Sequence, residues 1–141
     1  MEIRVCNIED NDELEEIFNL LKQVWFLDDM NKFKTNIKLF LKKQKREIYI
    51  IKDKYQILGT ATLHYQPKLI RNGCKAGLIE EVVVNKKFRG NKIGEQLIKK
   101  VMEIARKNGC YKVILNCYSE RIKFYERCGF KQDSYTMRVN L

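Results

Sequence analysis

Residues 78–107 restrict the fold more than any other part of the chain. Leu78-Ile-Glu-Glu-Val-Val-Val-Asn85 is apolar and β-branched, a basic turn with two glycines follows, and from Ile93 the apolar positions take up helical spacing. Val82, Val83 and Val84 are consecutive, so they project to both faces of a strand; the strand predicted over Lys75 to Asn85 therefore lies in the middle of a sheet, covered on both sides. Ile93, Leu97, Ile98, Val101, Ile104 and Ala105 give the following helix one apolar face, and Gly109 ends it. A central strand needs neighbours, and the chain supplies them. Glu47 to Lys52 and Ile57 to Tyr65 read as a β-hairpin around Asp53-Lys54, and Lys112 to Asn116 reads as a further strand.

Two helices precede the hairpin. One starts at Asp12, with Glu15 completing a capping box, and presents Leu14, Ile17, Phe18, Leu21, Val24 and Trp25; the second runs from about Asp29 to Lys43 with Met30, Phe33, Ile37, Phe40 and Leu41 on one side. Near the end, Ser119 is expected to cap a short helix through Arg127, and Gly129 to release the chain into an alternating strand around Tyr135, Met137 and Val139. The order ααβββαβαβ predicts an α+β fold with one mixed, mostly antiparallel sheet flanked by helices. At 141 residues and 45% hydrophobic, with one proline and no repeat, residues 1–141 read as a single domain. The opening Met-Glu-Ile-Arg-Val-Cys carries an acid where a secretory leader needs a basic start and an apolar run, so a soluble cytoplasmic protein is expected. No stretch is long and apolar enough for a bilayer span.

The net charge is +10, and Lys86 to Lys107 holds eight Lys or Arg. Such a surface attracts anions, although a solvated helix face explains the clustering equally well. Nucleic-acid binding would need aromatic side chains interleaved with the basic ones, and only Phe88 is aromatic in that segment, so no nucleic acid and no membrane partner is expected. Five cysteines, Cys6, Cys74, Cys110, Cys117 and Cys128, lack CxxC spacing and stand with a single histidine, His64. They read as small reduced core side chains with no metal site, and His64 as an ordinary strand residue.

A buried strand running through a basic, glycine-containing loop into a helix is an anion-binding arrangement. The first N–H groups of the helix lack intrahelical partners, and the positive end of its dipole lies beside them. Gly90 and Gly94 would let the backbone approach a phosphate. No Gly-Lys-Ser/Thr follows and the three glycines of a dinucleotide fingerprint are missing, so a nucleoside triphosphate cradle is not expected.

Arg89-Gly-Asn-Lys-Ile-Gly94 resembles the Q/R-x-x-G-x-G/A signature with which the GNAT N-acetyltransferase superfamily holds the pyrophosphate of acetyl-CoA. Ile122-Lys-Phe-Tyr-Glu-Arg-Cys-Gly-Phe130 is similar to its F-Y-x-x-x-G-F helix. Lys92 stands at the signature's central glycine, which obliges the turn to use a residue with a Cβ. Within the superfamily, Leu78 to Asn85 and Gly109-Cys-Tyr-Lys-Val-Ile-Leu-Asn-Cys117 resemble the glucosamine-6-phosphate N-acetyltransferases, and Asp12 and Ile3-Arg4 suit their opening. Glu81 stands where Asp is usual, Asn116 where a carboxylate is, and Asn140 where an Arg is expected.

The resemblance implies the GNAT fold with splayed central strands, acetyl-CoA as cosubstrate without a metal, and acetyl transfer to glucosamine 6-phosphate on the route to UDP-N-acetylglucosamine. It implies coenzyme contacts from Val82, Val83 and Val84 by backbone, from Arg89, Gly90, Asn91, Lys92, Ile93, Gly94 and Glu95 at the pyrophosphate, and from Asn116 and Tyr125. Lys68, Arg71, Tyr111, Lys112 and Asn116 match substrate-binding positions, and a homodimer with a shared site is implied. Adjacent strand residues face opposite ways, so Glu80 and Glu81 share one wall only if the strand bulges, as it does in the family. The implied roles are then orientation of the acceptor by one carboxylate, proton removal by the other, and protonation of the leaving thiolate by Tyr125. Phe124 reads as core. Acetylation of another amine, a polyamine or a protein N-terminus, is an alternative that motif and charge do not separate from the amino sugar.

Overall fold

The computed structural model describes residues 1–43 and 45–141. A five-stranded sheet in the order β1-β2-β3-β4-β5 is built from β1 (Glu2–Val5), β2 (Arg46–Lys52), β3 (Ile57–Pro67), β4 (Lys75–Val84) and β5 (Cys110–Leu115). The first four strands pair antiparallel. β5 lies parallel to β4 because α4 (Ile93–Lys107) makes the crossover. This is the mixed, mostly antiparallel sheet expected.

Alternation along β2 and β3 divides the core between two faces. Tyr49, Ile51, Ala61 and Leu63 meet the apolar stripe of α4, formed by Leu97, Ile98, Val101 and Ala105, on one face. Ile48, Ile50 and Ile57 meet Leu14, Ile17 and Leu20 of α1 (Asn11–Leu21) on the other, with α2 (Met30–Lys43) outside them. α3 (Ile70–Gly73) is a single turn in the β3–β4 connection, with Arg71 and Asn72 in left-handed conformations. A 3-10 turn, Ser119–Arg121, leads into α5 (Ile122–Arg127).

Several expectations need correction. Asp10, not Asp12, caps α1: its carboxylate accepts the N–H groups of Asp12 and Glu13 at 3.0 and 3.2 Å. The helix ends at Leu21, so Val24 and Trp25 lie beyond it and are 50% and 44% exposed. α2 begins as read, with Asp29 accepting the Lys32 N–H at 2.9 Å, but Phe40 is exposed. Ser119 caps nothing. The last strand does not form: residues 130–141 lack regular structure, and Tyr135, Met137 and Val139 are exposed. Cys6 and Cys128 are buried, whereas Cys117 is exposed and is not a core residue; all five thiols are free. Burial, then the nearby Glu13 carboxylate, pushes the Cys6 thiol up to about 12.

β1 is the strand that the sequence reading lacks. It is tied down by Arg4, whose guanidinium donates to both oxygens of the buried Glu13 at 2.9 Å, while the Asn7 N–H donates to the same carboxylate at 2.9 Å. Burial would raise the Glu13 carboxyl, but the Arg4 hydrogen bonds, the Asn7 amide and the Arg4 charge outweigh it and hold it below its ordinary value. A depressed carboxyl stabilises the fold above its unfolded-state value, and that contribution disappears as pH falls through the lower folded-state value. Glu13→Gln should therefore cost about 2–3 kcal/mol at neutral pH. In urea titrations the gap to the parent protein should close as pH falls below about 4.

Candidate active site

β4 and β5 begin side by side, with Lys75 opposite Cys110, and their pairing stops at Ile79 opposite Leu115. Beyond that point, among the described residues, no strand lies beside the edge of β4 that faces away from β3, and a cleft of about 1330 Å³ opens there. Val82 and Val84 are half-buried for this reason; only Val83 is enclosed, so the run is not covered on both faces as expected.

Opposite the opening, β4 bulges. Thr62 pairs with Glu80 and Thr60 with Val83, which leaves Glu81 and Val82 facing Ala61 alone. Glu81 takes a φ of +53°, a left-handed conformation that costs a non-glycine residue about 1 kcal/mol. The extra residue breaks the alternation, and both Glu80 and Glu81 line the cleft. Thr62 Oγ1 donates to Glu81 Oε2 at 3.1 Å, and Arg46 Nη2 lies 3.6 Å from Glu80 Oε1. The two carboxylates therefore differ in setting: Glu80 is held by a cation and Glu81 by a neutral hydroxyl.

The turn after β4 is tied to the segment just past α1, because Gln23 Oε1 accepts the Lys86 N–H at 3.0 Å. Lys92 occupies the left-handed position at φ +59° that its place in the signature demands, and no side chain caps α4. The first amides of α4 thus remain available to an anion at the positive end of the helix dipole. Arg89, Lys92, Arg121, Arg127 and Arg138 line the cleft around them, and Arg89 Nε also donates to Val84 O at 3.2 Å. Gly90 has φ +86° and open space on its Cβ side. Gly94 lines the cleft and also has a packing role that was not read: a Cβ there would lie 3.1 Å from Phe124 Cζ and 3.2 Å from Val84 Cγ2, so glycine lets α4 pack on α5 and β4. Asn91 does not border the cleft and instead donates to Phe88 O at 3.2 Å. Glu95 borders it, with its carboxylate 2.7 Å from Lys99 Nζ.

Tyr125 faces the cleft from α5, wedged edge-on between Phe124 and Phe130 at centroid distances of 4.9 and 5.9 Å. Burial, chiefly, pushes its phenol up to about 12. Phe124 packs against the core as expected but also forms part of the cleft wall. Asn116, just past β5, accepts from Thr136 Oγ1 at 2.7 Å, which brings the terminal segment over the cleft.

The four remaining predicted substrate residues are elsewhere. Lys68, Arg71, Tyr111 and Lys112 gather at the far end of β4 and β5, where Arg71 stacks on the Tyr111 ring at 4.6 Å and Lys112 Nζ lies 5.5 Å from the same ring. Lys68 Nζ is 3.4 Å from Gln66 Oε1. None of the four borders the cleft. His64 is a strand residue, as read; burial first, then the Arg46 charge, lowers its imidazole against the pull of Glu80. The sequence reading missed Trp25, Arg121, Arg127 and Arg138 as cleft residues. Thr136, Arg138 and Asn140 alternate with the apolar residues of the tail, and that alternation was the available signal for Arg138.

The model of the acetyltransferase (GNAT) family matches residues 12–130. Glucosamine 6-phosphate N-acetyltransferase of Trypanosoma brucei brucei is 44% identical over 86 residues, covering 61% of this chain and 58% of that protein. The probable glucosamine 6-phosphate N-acetyltransferase of Drosophila melanogaster is 32% identical over 132 residues, covering 91% of this chain and 60% of that protein. The chain spans about three fifths of the length of both relatives. The crystal structure of glucosamine-6-phosphate N-acetyltransferase from Arabidopsis thaliana superposes with a TM-score of 0.86 at 30% identity, over 99% of this chain and 97% of that one. Residues 12–130 carry the splayed strands, the bulge, the uncapped helix and Tyr125, and on that span the chain belongs to the GNAT family of acetyltransferases.

Proposed function

We propose that the protein transfers the acetyl group of acetyl-CoA to the amine of glucosamine 6-phosphate, by direct attack in a ternary complex, giving N-acetylglucosamine 6-phosphate and CoA. The observation that carries this reading is the open edge of β4 beside the uncapped start of α4, a strand edge and an anion site on one cleft. The named relatives support the choice of acceptor.

The residues present fit the coenzyme. The amides at the start of α4, with Arg89 and Lys92, would hold its pyrophosphate, and the free backbone of Val82 to Val84 would hold its pantetheine arm; bound acetyl-CoA supplies an activated thioester. Glu81, held by Thr62, removes a proton from the acceptor amine, directly or through water. Glu80, paired with Arg46, orients the amino sugar. Tyr125, whose phenol stays protonated well above neutral pH, delivers a proton to the departing sulfur. A reducing compartment such as the cytoplasm suits five free thiols.

A phosphate on the acceptor needs cations, and Lys68, Arg71 and Lys112 lie too far along the sheet to serve the carboxylates of their own chain. A two-fold homodimer, in which each subunit's Lys68, Arg71, Tyr111 and Lys112 reach the other's acceptor, resolves this. The exposed apolar alternation of Tyr135, Met137 and Val139 reads as a strand awaiting such a partner. Charge-assisted contacts to the phosphate should make kcat/KM for glucosamine 6-phosphate about 50-fold higher than for glucosamine. Arg71→Ala and Lys112→Ala should each shrink that ratio at least fivefold, on the scale of one charge-assisted bond. Equal efficiency on the two sugars would remove the amino-sugar assignment; a preference untouched by either substitution would remove these cations from the site.

A further inference from the structure

His64 is the chain's one histidine, and the chemistry proposed above makes no use of it. It stands in the sheet between Arg46 of β2 and Leu78 of β4, each paired with it in register. Paired residues project to the same face, and so does Glu80, two positions on from Leu78. Arg46, His64 and Glu80 therefore form one polar group across three strands. Among the described residues, the buried side-chain nitrogens and oxygens without a hydrogen-bond partner are Arg46 Nε and His64 Nδ1, and both belong to this group. Each carries a desolvation cost alone, yet the two are complementary. The arginine nitrogen has an N–H to give, and Nδ1 of a neutral imidazole with its proton on Nε2 accepts one. The Leu78 side chain, on the other side, offers no polar atom. Arg46 Nη2 is meanwhile 3.6 Å from Glu80 Oε1, a charge contact longer than a hydrogen bond. Where the guanidinium is held thus decides how firmly Glu80 is held.

We infer that His64 is a positioning residue for Glu80: neutral, it takes up the Arg46 Nε–H through Nδ1 and so steadies the guanidinium with its terminal nitrogens toward that carboxylate. The imidazolium has an N–H at Nδ1 instead. It meets Arg46 as donor against donor and cation against cation, and its own counter-charge is Glu80. Protonation therefore changes the partner of Glu80 and releases Arg46. His64 does not border the cleft, so it acts through Arg46 and Glu80 and not on the reactants. The charged groups that act on the imidazole are Arg46 from β2 and Glu80 from β4. Burial first, then the Arg46 charge, favours the neutral form, and Glu80 opposes them. The steadied arrangement is thus the one present at neutral pH, and it is lost as pH falls through a value below the ordinary 6.5. The inference rests on the reading of Glu80 as the group that orients the acceptor, and not on which residue removes the proton.

Kinetics and a titration test this. At about pH 8, His64→Leu should raise the KM for glucosamine 6-phosphate about tenfold, the scale of one hydrogen bond to a charged group, with kcat and the acetyl-CoA KM within about twofold of the parent. At about pH 5 the KM ratio should fall to within about twofold, because the parent has then lost the same contact. Ionisation of the acceptor amine is common to both proteins and cancels in the ratio. Asparagine puts an oxygen near the place of Nδ1 and does not titrate. His64→Asn should therefore restore the parent KM at the higher pH and hold the acceptor more tightly than the parent at the lower. The titration reads the imidazole itself, whose NMR signals are unambiguous in a chain with one histidine. Its midpoint should lie below the ordinary 6.5, rise in Arg46→Gln and fall in Glu80→Gln. Should His64→Leu fail to fold, His64→Asn and the titration each still decide the matter. A His64→Leu defect of one size at both pH values, a His64→Asn that follows the parent into acid, or a midpoint indifferent to Arg46→Gln would overturn the inference and leave the acceptor reading standing. A parent protein inactive on glucosamine 6-phosphate would overturn the acceptor reading and the role of His64 in it.

Discussion

Glu81→Gln should lower kcat with glucosamine 6-phosphate by about 10³-fold, within the range found when a general base is removed, and should change the KM for either substrate little. The substitution is nearly isosteric, and an amide oxygen can still accept from the Thr62 hydroxyl now 3.1 Å from the carboxylate. It removes the capacity to take a proton and leaves the bulge intact, so the loss belongs to the chemical step. Glu81→Asp should recover all but about tenfold, because the carboxylate survives at shorter reach. Glu80→Gln should behave differently. Glu80 is engaged by Arg46 at 3.6 Å, so its loss leaves that cation without a counter-charge beside the acceptor, and the acceptor KM should rise more than kcat falls. Equal effects of the two substitutions would sink this division of labour.

What could be read in the sequence were the segments whose local pattern and tertiary setting agree. The β4, turn and α4 unit is one: a β-branched run, a basic turn and a helical stripe follow in the order the crossover requires, although only Val83 of the three valines is enclosed. The hairpin of β2 and β3 is another. The failures have separate physical causes. β1 is four residues long, too short for periodicity to register, and it is held by an ion pair to Glu13, nine positions from Arg4. α1 stops at Leu21 although the apolar spacing continues, and just past its end the Gln23 side chain accepts from the Lys86 amide. That contact spans 63 positions and has no local signature. Beyond the helix end, Trp25 becomes part of the cleft wall.

The site shows the same division. The bulge was legible only through the family resemblance, and Lys92 in place of glycine only as a turn made with a Cβ; the structure puts both Glu81 and Lys92 at positive φ, a cost borne locally. Gly94 looked alike in sequence, but the contact that requires it is with Phe124, far along the chain. The tail from Ser134 to Leu141 alternates as a strand should, yet among the described residues no strand pairs with it. A strand pattern states a need for a partner and does not supply one.

Tyr125→Phe should lower kcat by about 10²- to 10³-fold, the usual contribution of a positioned acid, while the acetyl-CoA dissociation constant from calorimetry stays within about twofold. The ring is gripped by Phe124 and Phe130 at 4.9 and 5.9 Å, contacts that phenylalanine keeps, so packing and the cleft wall persist. The hydroxyl alone is lost, and it acts only once the sulfur gathers charge. The sign of its pH dependence follows from burial, which pushes the phenol up to about 12. A raised phenol keeps its proton until pH climbs to that value, so kcat of the parent protein should show no decline due to Tyr125 between pH 7 and about pH 11. The acceptor amine must be neutral to attack, which makes the rate rise with pH over much of the same range. In Tyr125→Phe water must protonate the sulfur. The defect should therefore shrink for acyl donors whose leaving thiol is more acidic, since a better leaving group needs the acid less. A defect of constant size across such donors, or none at saturating substrates, would return Tyr125 to the core.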